Sequence, residues 1–158
     1  MGAKKKKWNI GNLFAVPTSD GRYLAGQIIG REEDVLNSVT IALFDEVRGS
    51  AEEIGSADLG ESRLFSAVFA TRDLLDSGRW KIVGDRPVAL PKKLFPFEHA
   101  RASGFVGAKV IGSAIINEFV NAYLGLVPWD DWKDPAYLDK LLISPTKKPS
   151  TILLKSPQ

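Results

Sequence analysis

The fold is decided by residues 13–30, which read LFAVPTSDGRYLAGQIIG. Two apolar segments, 13–18 and 23–30, flank the dipeptide Asp20-Gly21. Glycine adopts the positive φ of a tight turn at little cost, and an Asp side chain accepts hydrogen bonds from nearby backbone. The pattern therefore predicts two antiparallel strands joined as a hairpin.

Three further segments are typical of short strands. Residues 39–47 alternate between two sides, 64–71 are rich in Phe and Val, and 80–83 follow the turn residue Gly78. The alternation puts Val39, Ile41 and Leu43 on one side of the strand and Thr40, Ala42 and Phe44 on the other. Five short strands joined by turns predict a curled antiparallel sheet or a small SH3-like barrel.

After Ser113 the apolar residues recur at helical spacing, which predicts a helix over 113–125. Its apolar stripe consists of Ile115, Ile116, Phe119, Val120, Tyr123 and Leu124. Gly125 stands where a glycine commonly ends a helix.

A second helix is predicted over 135–143, because Asp134 suits the N-cap and Pro135 the first helical position. Residues 151–155 are interpreted as a final strand. The fold class is therefore α+β, with the C-terminal helices packed against the sheet.

The composition is that of an ordinary globular protein. Of its 158 residues, 44% are hydrophobic and 25% charged, and none is cysteine. A chain of this length folds without disulfides, and the lack of cysteine excludes thiolate metal sites. We expect one globular domain over residues 8–158, preceded by a basic tail at residues 1–7.

The four consecutive lysines at positions 4–7 resemble the start of a signal peptide, but Asn9 and Gly11 interrupt the apolar segment that should follow. No stretch approaches the ~20 apolar residues of a membrane span. We therefore expect a cytoplasmic protein without a membrane partner. The formal net charge is +2. Without these lysines it becomes −2, which does not favour nucleic acid as the partner.

The sequence offers little for catalysis. His99 is the one histidine, so neither a triad with a thiol nucleophile nor a zinc site with a second imidazole can form around it. Residues 107–113, GAKVIGS, open like a phosphate-binding loop but have Ser113 in place of the essential lysine. No pair of carboxylates stands out for sugar cleavage. We expect a non-enzymatic protein with no cofactor.

The strongest charge feature is an acidic segment over residues 31–62, with nine Asp and Glu against two Arg. Fields of one sign steer partners of the opposite sign. Glu32, Glu33 and Asp34 are candidates for a partner-binding loop, with Glu52 and Glu53 adding to the same face. The alternative is a solvated acidic loop without a partner.

Residues 129–132, Trp129-Asp130-Asp131-Trp132, are the most unusual segment. Two tryptophans among acids are typical of an interaction hot spot. The alternative is that both rings cover the core between two helices. We favour a core role for one tryptophan and leave the other open.

Residues 11–17, GNLFAVP, with Asp20-Gly21 and residues 26–28, resemble the opening of the immunity protein 26 family. That opening runs Gly-Asp-x-Phe-x-Ile-Pro-Leu, then Asp-Gly, then a Gly and an aliphatic residue. Asn12 replaces the family's Asp and Thr18 its Leu.

Residues 80–84, WKIVG, followed by Pro87, are similar to that family's Trp-x-Ile-Ile-Gly segment. The resemblance implies an immunity protein of a bacterial polymorphic toxin system, which binds a cognate toxin domain in the cytoplasm. It transfers no catalytic residue, and it implies structural roles for Asp20, Gly21 and Trp80. The second functional class is a small nucleic-acid-binding barrel.

Overall fold

The computed structural model describes residues 7–96 and 109–155, which build one six-stranded sheet with helices against it. The strands are β1 (Asn12–Pro17), β2 (Tyr23–Glu32), β3 (Ser38–Arg48), β4 (Leu64–Ala70), β5 (Lys81–Asp85) and β6 (Val110–Ile111). Their order is β5-β1-β2-β3-β4-β6, and all neighbours are antiparallel except β4 and β6. The α+β class is confirmed.

The sheet formed by the described strands is open rather than a closed barrel, because β5 and β6 form separate edges. Register shifts interrupt the β1–β5, β2–β3 and β3–β4 pairings. Such bulges bend strands and increase their twist, which gives a curled sheet. Of the two predicted architectures, the chain adopts the curled antiparallel sheet.

The predicted hairpin is confirmed. β1 and β2 pair from Leu13 opposite Gln27 to Pro17 opposite Tyr23. Gly21 has a φ of +84°, the conformation for which glycine is suited at this turn.

The sheet buries apolar side chains on both faces. The alternation predicted for β3 is confirmed, because one buried cluster contains Val39, Ile41 and Leu43 and the other contains Ala42 and Phe44. The first cluster includes Ile116 and Phe119 of helix α2 (Ser113–Tyr123). The second includes Ile54 of the 3-10 helix Glu52–Ser56. Each face is therefore covered by a different part of the chain.

The first predicted helix is α2, which follows the shorter helix α1 (Asp73–Asp76). Gly125 ends it as expected, with a φ of +75° and its N–H on the carbonyl of Ala122 at 3.1 Å. α2 has 11 residues, and none of the helices in the described ranges is long and apolar enough to cross a bilayer.

Where a second helix is predicted over 135–143, the chain forms a short 3-10 helix, Leu138–Leu141. The N–H of Ile143 donates to the carbonyl of Phe65 in β4 at 2.8 Å. The backbone is therefore extended by Leu142, with a ψ of 144°. The attachment to β4 therefore ends the helical segment before residue 143.

The predicted strand over 151–155 is reduced to a single parallel bridge between Leu153 and Pro128. The N–H of Trp129 donates to the Leu153 carbonyl at 2.8 Å. This bridge holds the last described residues against the segment that carries both candidate tryptophans.

Candidate functional site

Several residues that carry the family resemblance pack together on one face of the sheet. The Phe14 ring stacks on Trp80 with centroids 5.2 Å apart and an interplanar angle of 18°. Gly26 lies under Phe14, and a Cβ at that position would overlap the ring. The indole N–H of Trp80 donates to Asn117 Oδ1 at 2.9 Å, which connects the stack to α2. These residues hold the sheet and the helix together.

The Asp20 turn has the same structural character. Asp20 accepts hydrogen bonds from Thr18 Oγ1 at 2.5 Å and Arg22 Nε at 2.8 Å. The Arg22 hydrogen bond, followed by that of Thr18, lowers the pKa of Asp20 to about 2. The backbone N–H of Ser19, the residue before Asp20, donates to Asn121 Oδ1 of α2 at 2.9 Å. The turn is therefore fixed to the helix.

Much of the acidic segment is neutralised within the chain. Glu46 Oε1 accepts the N–H of Asp58 at 2.6 Å and Arg48 Nη2 at 2.9 Å. Arg63 Nε lies 3.9 Å from Glu46 and 3.8 Å from Asp58. Burial raises the pKa of Glu46, but the Asp58 N–H and the Arg48 guanidinium more than offset this and lower it overall. These carboxylates therefore stabilise the connection between β3 and β4.

Glu52 and Glu53 begin the 3-10 helix and are both exposed. Glu52 pairs with Lys81 of β5, and this hydrogen bond lowers the pKa of Glu52. Glu53 accepts a hydrogen bond from Ser50 Oγ at 2.9 Å. Both side chains therefore have partners within the chain.

The acids at the β2–β3 connection have fewer side-chain partners within the described chain. Glu32 Oε1 accepts Thr40 Oγ1 at 2.9 Å. Glu33 and Asp34 are exposed, and no side-chain partner is found for them among the described residues. We call residues 33–37 the β2–β3 turn. Its two free carboxylates are the uncompensated part of the predicted surface.

The two acidic groups do not lie together. Glu32 pairs with Ser38 at one end of the β2–β3 ladder, whereas Tyr23 pairs with Arg48 at the other, shortly before Glu52. A strand rises about 3.3 Å per residue, so roughly 30 Å of strand separates the two ends. Residues 32–34 and residues 52–53 form two separate surfaces.

Trp129 is a core residue. Its side chain is 1% exposed and lies 5.9 Å from the Phe119 ring, centroid to centroid. Its indole N–H donates to Asp139 Oδ1 at 2.7 Å, which satisfies the one polar atom of a buried ring. Lys148 Nζ lies 5.9 Å from the ring centroid. The favoured core role is found for this tryptophan.

Trp132 is only partly buried and packs against Tyr137, with ring centroids 5.0 Å apart. The two rings, with Lys133 and Asp134 between them in sequence, line a cleft of about 390 Å³. We call this the aromatic cleft.

The acids between the two tryptophans have partners within the chain. Asp130 Oδ1 accepts the backbone N–H of Lys155 at 2.7 Å, and Asp131 lies 3.1 Å from Lys155 Nζ. Of the four residues predicted at 129–132, Trp132 alone leaves part of a large apolar surface open to a partner.

His99 lies outside the described residues, as do residues 107 and 108 of the 107–113 segment. Ser113 is described: its Oγ donates to Asp73 Oδ1 at 2.7 Å and its N–H to Thr71 Oγ1 at 2.9 Å. These bonds fix the start of α2 to the end of β4. In the described ranges no three His, Asp or Glu side chains come together as metal ligands would.

Sequence reasoning missed Leu36, at the tip of the β2–β3 turn, which is 85% exposed. It also missed Trp8, whose ring lies 4.1 Å from the Arg31 guanidinium and 5.1 Å from that of Arg72. The residue types alone do not predict these pairings, because the partners are far apart in sequence. The sequence does not predict the positive φ of Leu36 either, because the turn contains no glycine to mark such a conformation.

Neither a curated protein nor a solved structure matches this chain. The family model described as Immunity protein 26 matches residues 9–104, which is more than half of the 158 residues. The match contains β1–β5 and therefore the Phe14–Trp80 stack and the Asp20 turn. α2 and the aromatic cleft lie beyond it. The chain belongs to the immunity protein 26 family.

Proposed function

We propose that this chain is an immunity protein that neutralises a cognate bacterial toxin domain by binding it in the cytoplasm. The family match over residues 9–104 carries the proposal. Inhibition by binding requires a complementary surface rather than a catalytic centre, and electrostatic complementarity speeds the encounter.

The β2–β3 turn is our first candidate for the toxin-binding surface. Glu33 and Asp34 are exposed and lack partners in the described chain, so a bound partner need not displace a cation from them. Many toxins that attack nucleic acid have basic active sites, and carboxylates can occupy the positions of phosphates. Glu32 supports the turn through Thr40.

The aromatic cleft is our second candidate. Trp132 and Tyr137 present aromatic surface, and aromatic residues are enriched at interface centres. The cleft lies outside the residues matched by the family model. A surface outside the shared part of a family can differ between members, which suits the recognition of different toxins.

The nucleic-acid-binding alternative has less support. Small barrels bind nucleic acid on an accessible face of the sheet. Here both faces of the sheet carry buried apolar clusters, one under α2 and one under the 3-10 helix Glu52–Ser56. Neither described face offers the exposed aromatic platform on which bases stack.

Co-expression tests the proposal. Bacteria that produce the toxin domain encoded beside this gene should stop growing, and this chain should restore growth. An unrelated immunity protein is the control. If this chain fails to restore growth and the purified proteins do not associate, the proposed function is wrong.

Charge reversal tests the surface. In a Glu33→Lys/Asp34→Lys variant we expect association about tenfold slower at low salt and a weaker dependence of the rate on salt. Glu52→Lys/Glu53→Lys, which reverses two charges at the other end of the β2–β3 ladder, is the matched control. Unchanged kinetics in the double variant would leave the aromatic cleft as the candidate.

A further inference from the structure

Leu36 combines exposure with an unusual backbone. Its side chain is 85% exposed, against 53% for Ile10 and 48% for Leu154. Its φ is +54° and that of Asn37 is +52°. The N–H of Ser38 donates to the carbonyl of Val35 at 3.1 Å, so Leu36 and Asn37 are the central residues of a tight turn within the five-residue connection between β2 and β3.

Two consecutive residues of positive φ are typical of a type I′ turn, in which Asn, Asp and Gly are preferred. Leucine is unfavourable in this conformation because its Cβ crowds the following carbonyl. Single exposed leucines are common on protein surfaces and need no explanation. Leu36 differs because its backbone is strained and its side chain is exposed. Packing in the fold therefore does not explain why a leucine occupies this position.

The turn is held firmly from below. Val35 is 5% exposed. Asn37 Oδ1 accepts a hydrogen bond from Arg72 Nη1 at 3.0 Å, and the Arg72 guanidinium lies 5.1 Å from the buried Trp8 ring. Leu36 therefore projects from a fixed base, which lowers the conformational entropy lost on binding.

We propose that Leu36 is the apolar anchor of the toxin-binding surface, with Glu33 and Asp34 beside it. This rests on the proposed function. The partner is a toxin domain whose surface offers an apolar pocket edged by basic side chains, because the free carboxylates flank the leucine on the N-terminal side of the turn. Strained residues are retained where a function requires them.

The test uses the full chain and the purified toxin domain encoded by the neighbouring gene. Leu36→Asn suits the turn better and removes the apolar side chain, so we expect Tm to rise by about 2–4 °C. The same variant should bind the toxin domain at least about tenfold more weakly. Leu154→Asn, a change at another exposed leucine, should leave Kd within about twofold.

Leu36→Ala separates the side chain from the backbone, because alanine keeps the strain. It should weaken binding without raising Tm. The inference is overturned if Leu36→Asn binds as tightly as the unchanged chain, or if its Tm falls. It is also overturned if light scattering shows that Leu36→Asn disrupts a dimer of this chain while toxin affinity stays the same.

Failure of the inference is distinct from failure of the proposed function. In the first case the unchanged chain binds the toxin domain and restores growth, and so does Leu36→Asn. In the second case the unchanged chain itself neither binds nor restores growth.

Discussion

The β2–β3 turn and the segment over residues 129–134 both place acids beside large apolar residues, yet they use them in opposite ways. In the turn, Leu36 is exposed and Glu33 and Asp34 have no partner in the described chain. In the second segment, Trp129 is buried and Asp131 is paired with Lys155. Trp129 and its neighbouring acids therefore stabilise the fold, whereas the β2–β3 turn, like the partly exposed Trp132, leaves surface open to a partner.

The difference lies in what the rest of the chain brings to each segment. α2 and the 3-10 helix Leu138–Leu141 supply Phe119 and Asp139 to Trp129. Below the β2–β3 turn, Arg72 and Trp8 hold the base but leave the tip open. Burial in one segment and exposure in the other predict different responses to substitution.

The largest effect is expected from the two tryptophans. Trp129→Ala should destabilise the fold by about 3–5 kcal/mol, because it removes a fully buried ring. Trp132→Ala, which removes a partly exposed ring, should cost about 1 kcal/mol. Urea denaturation measures both. Equal losses would contradict the assignment of one ring to the core and the other to a surface.

The acid that supports Trp129 and an acid of the β2–β3 turn should differ in the same way. Asp139→Ala leaves the indole N–H of Trp129 without its acceptor and should cost about 1–3 kcal/mol. Glu33→Ala in the β2–β3 turn should stay within about 0.5 kcal/mol of the unchanged chain. A clear loss of stability in Glu33→Ala would reveal a structural partner for this carboxylate.

The pH response of Asp134 is a smaller effect. The Lys140 hydrogen bond lowers its pKa from the ordinary value of 3.8. A lowered folded-state pKa means that the ion pair stabilises the fold above about pH 4 and is lost as pH falls through the folded pKa. Carboxyl NMR titration should show the pKa of Asp134 returning toward 3.8 in Lys140→Met. An unchanged pKa would exclude Lys140 as the cause.

The smallest effect is expected from a truncation that ends just before Trp8, the residue at the base of the β2–β3 turn. Removal of residues 1–7 keeps Trp8, whose carbonyl accepts a hydrogen bond from Arg31 at 3.0 Å. Unfolding free energy should therefore change by less than about 0.5 kcal/mol, and toxin affinity at physiological salt by less than tenfold. Trp8→Ala in the full chain is the contrasting variant and should destabilise it clearly. A tenfold loss of affinity on truncation would give the lysines a role in binding.

Strands β1 to β5 and α2 could be predicted because their signals are local, whereas β6 was not predicted and the strand expected over 151–155 forms only a single bridge. Alternation in β3, the Asp20-Gly21 turn and the helical spacing after Ser113 depend on neighbouring residues alone. The α-helix predicted over 135–143 is wrong: the segment forms only the 3-10 helix Leu138–Leu141, and the N–H of Ile143 bonds to Phe65 of β4, a contact that the sequence does not reveal. For the candidate site, charge and residue type predict Glu33, Asp34 and Trp132, which stay predictions, while Leu36 gives no signal.

The sequence by itself determined the α+β class, the hairpin and the family, because periodicity and short motifs can be read without knowing which residues are in contact. The tertiary structure alone decided which charges are free and which rings are buried. Glu46 and Glu33 lie in one acidic segment, but the backbone N–H of Asp58 and the guanidinium of Arg63 reach only Glu46. Such pairings join residues that folding brings together, and their charge or exposure is therefore a property of the fold.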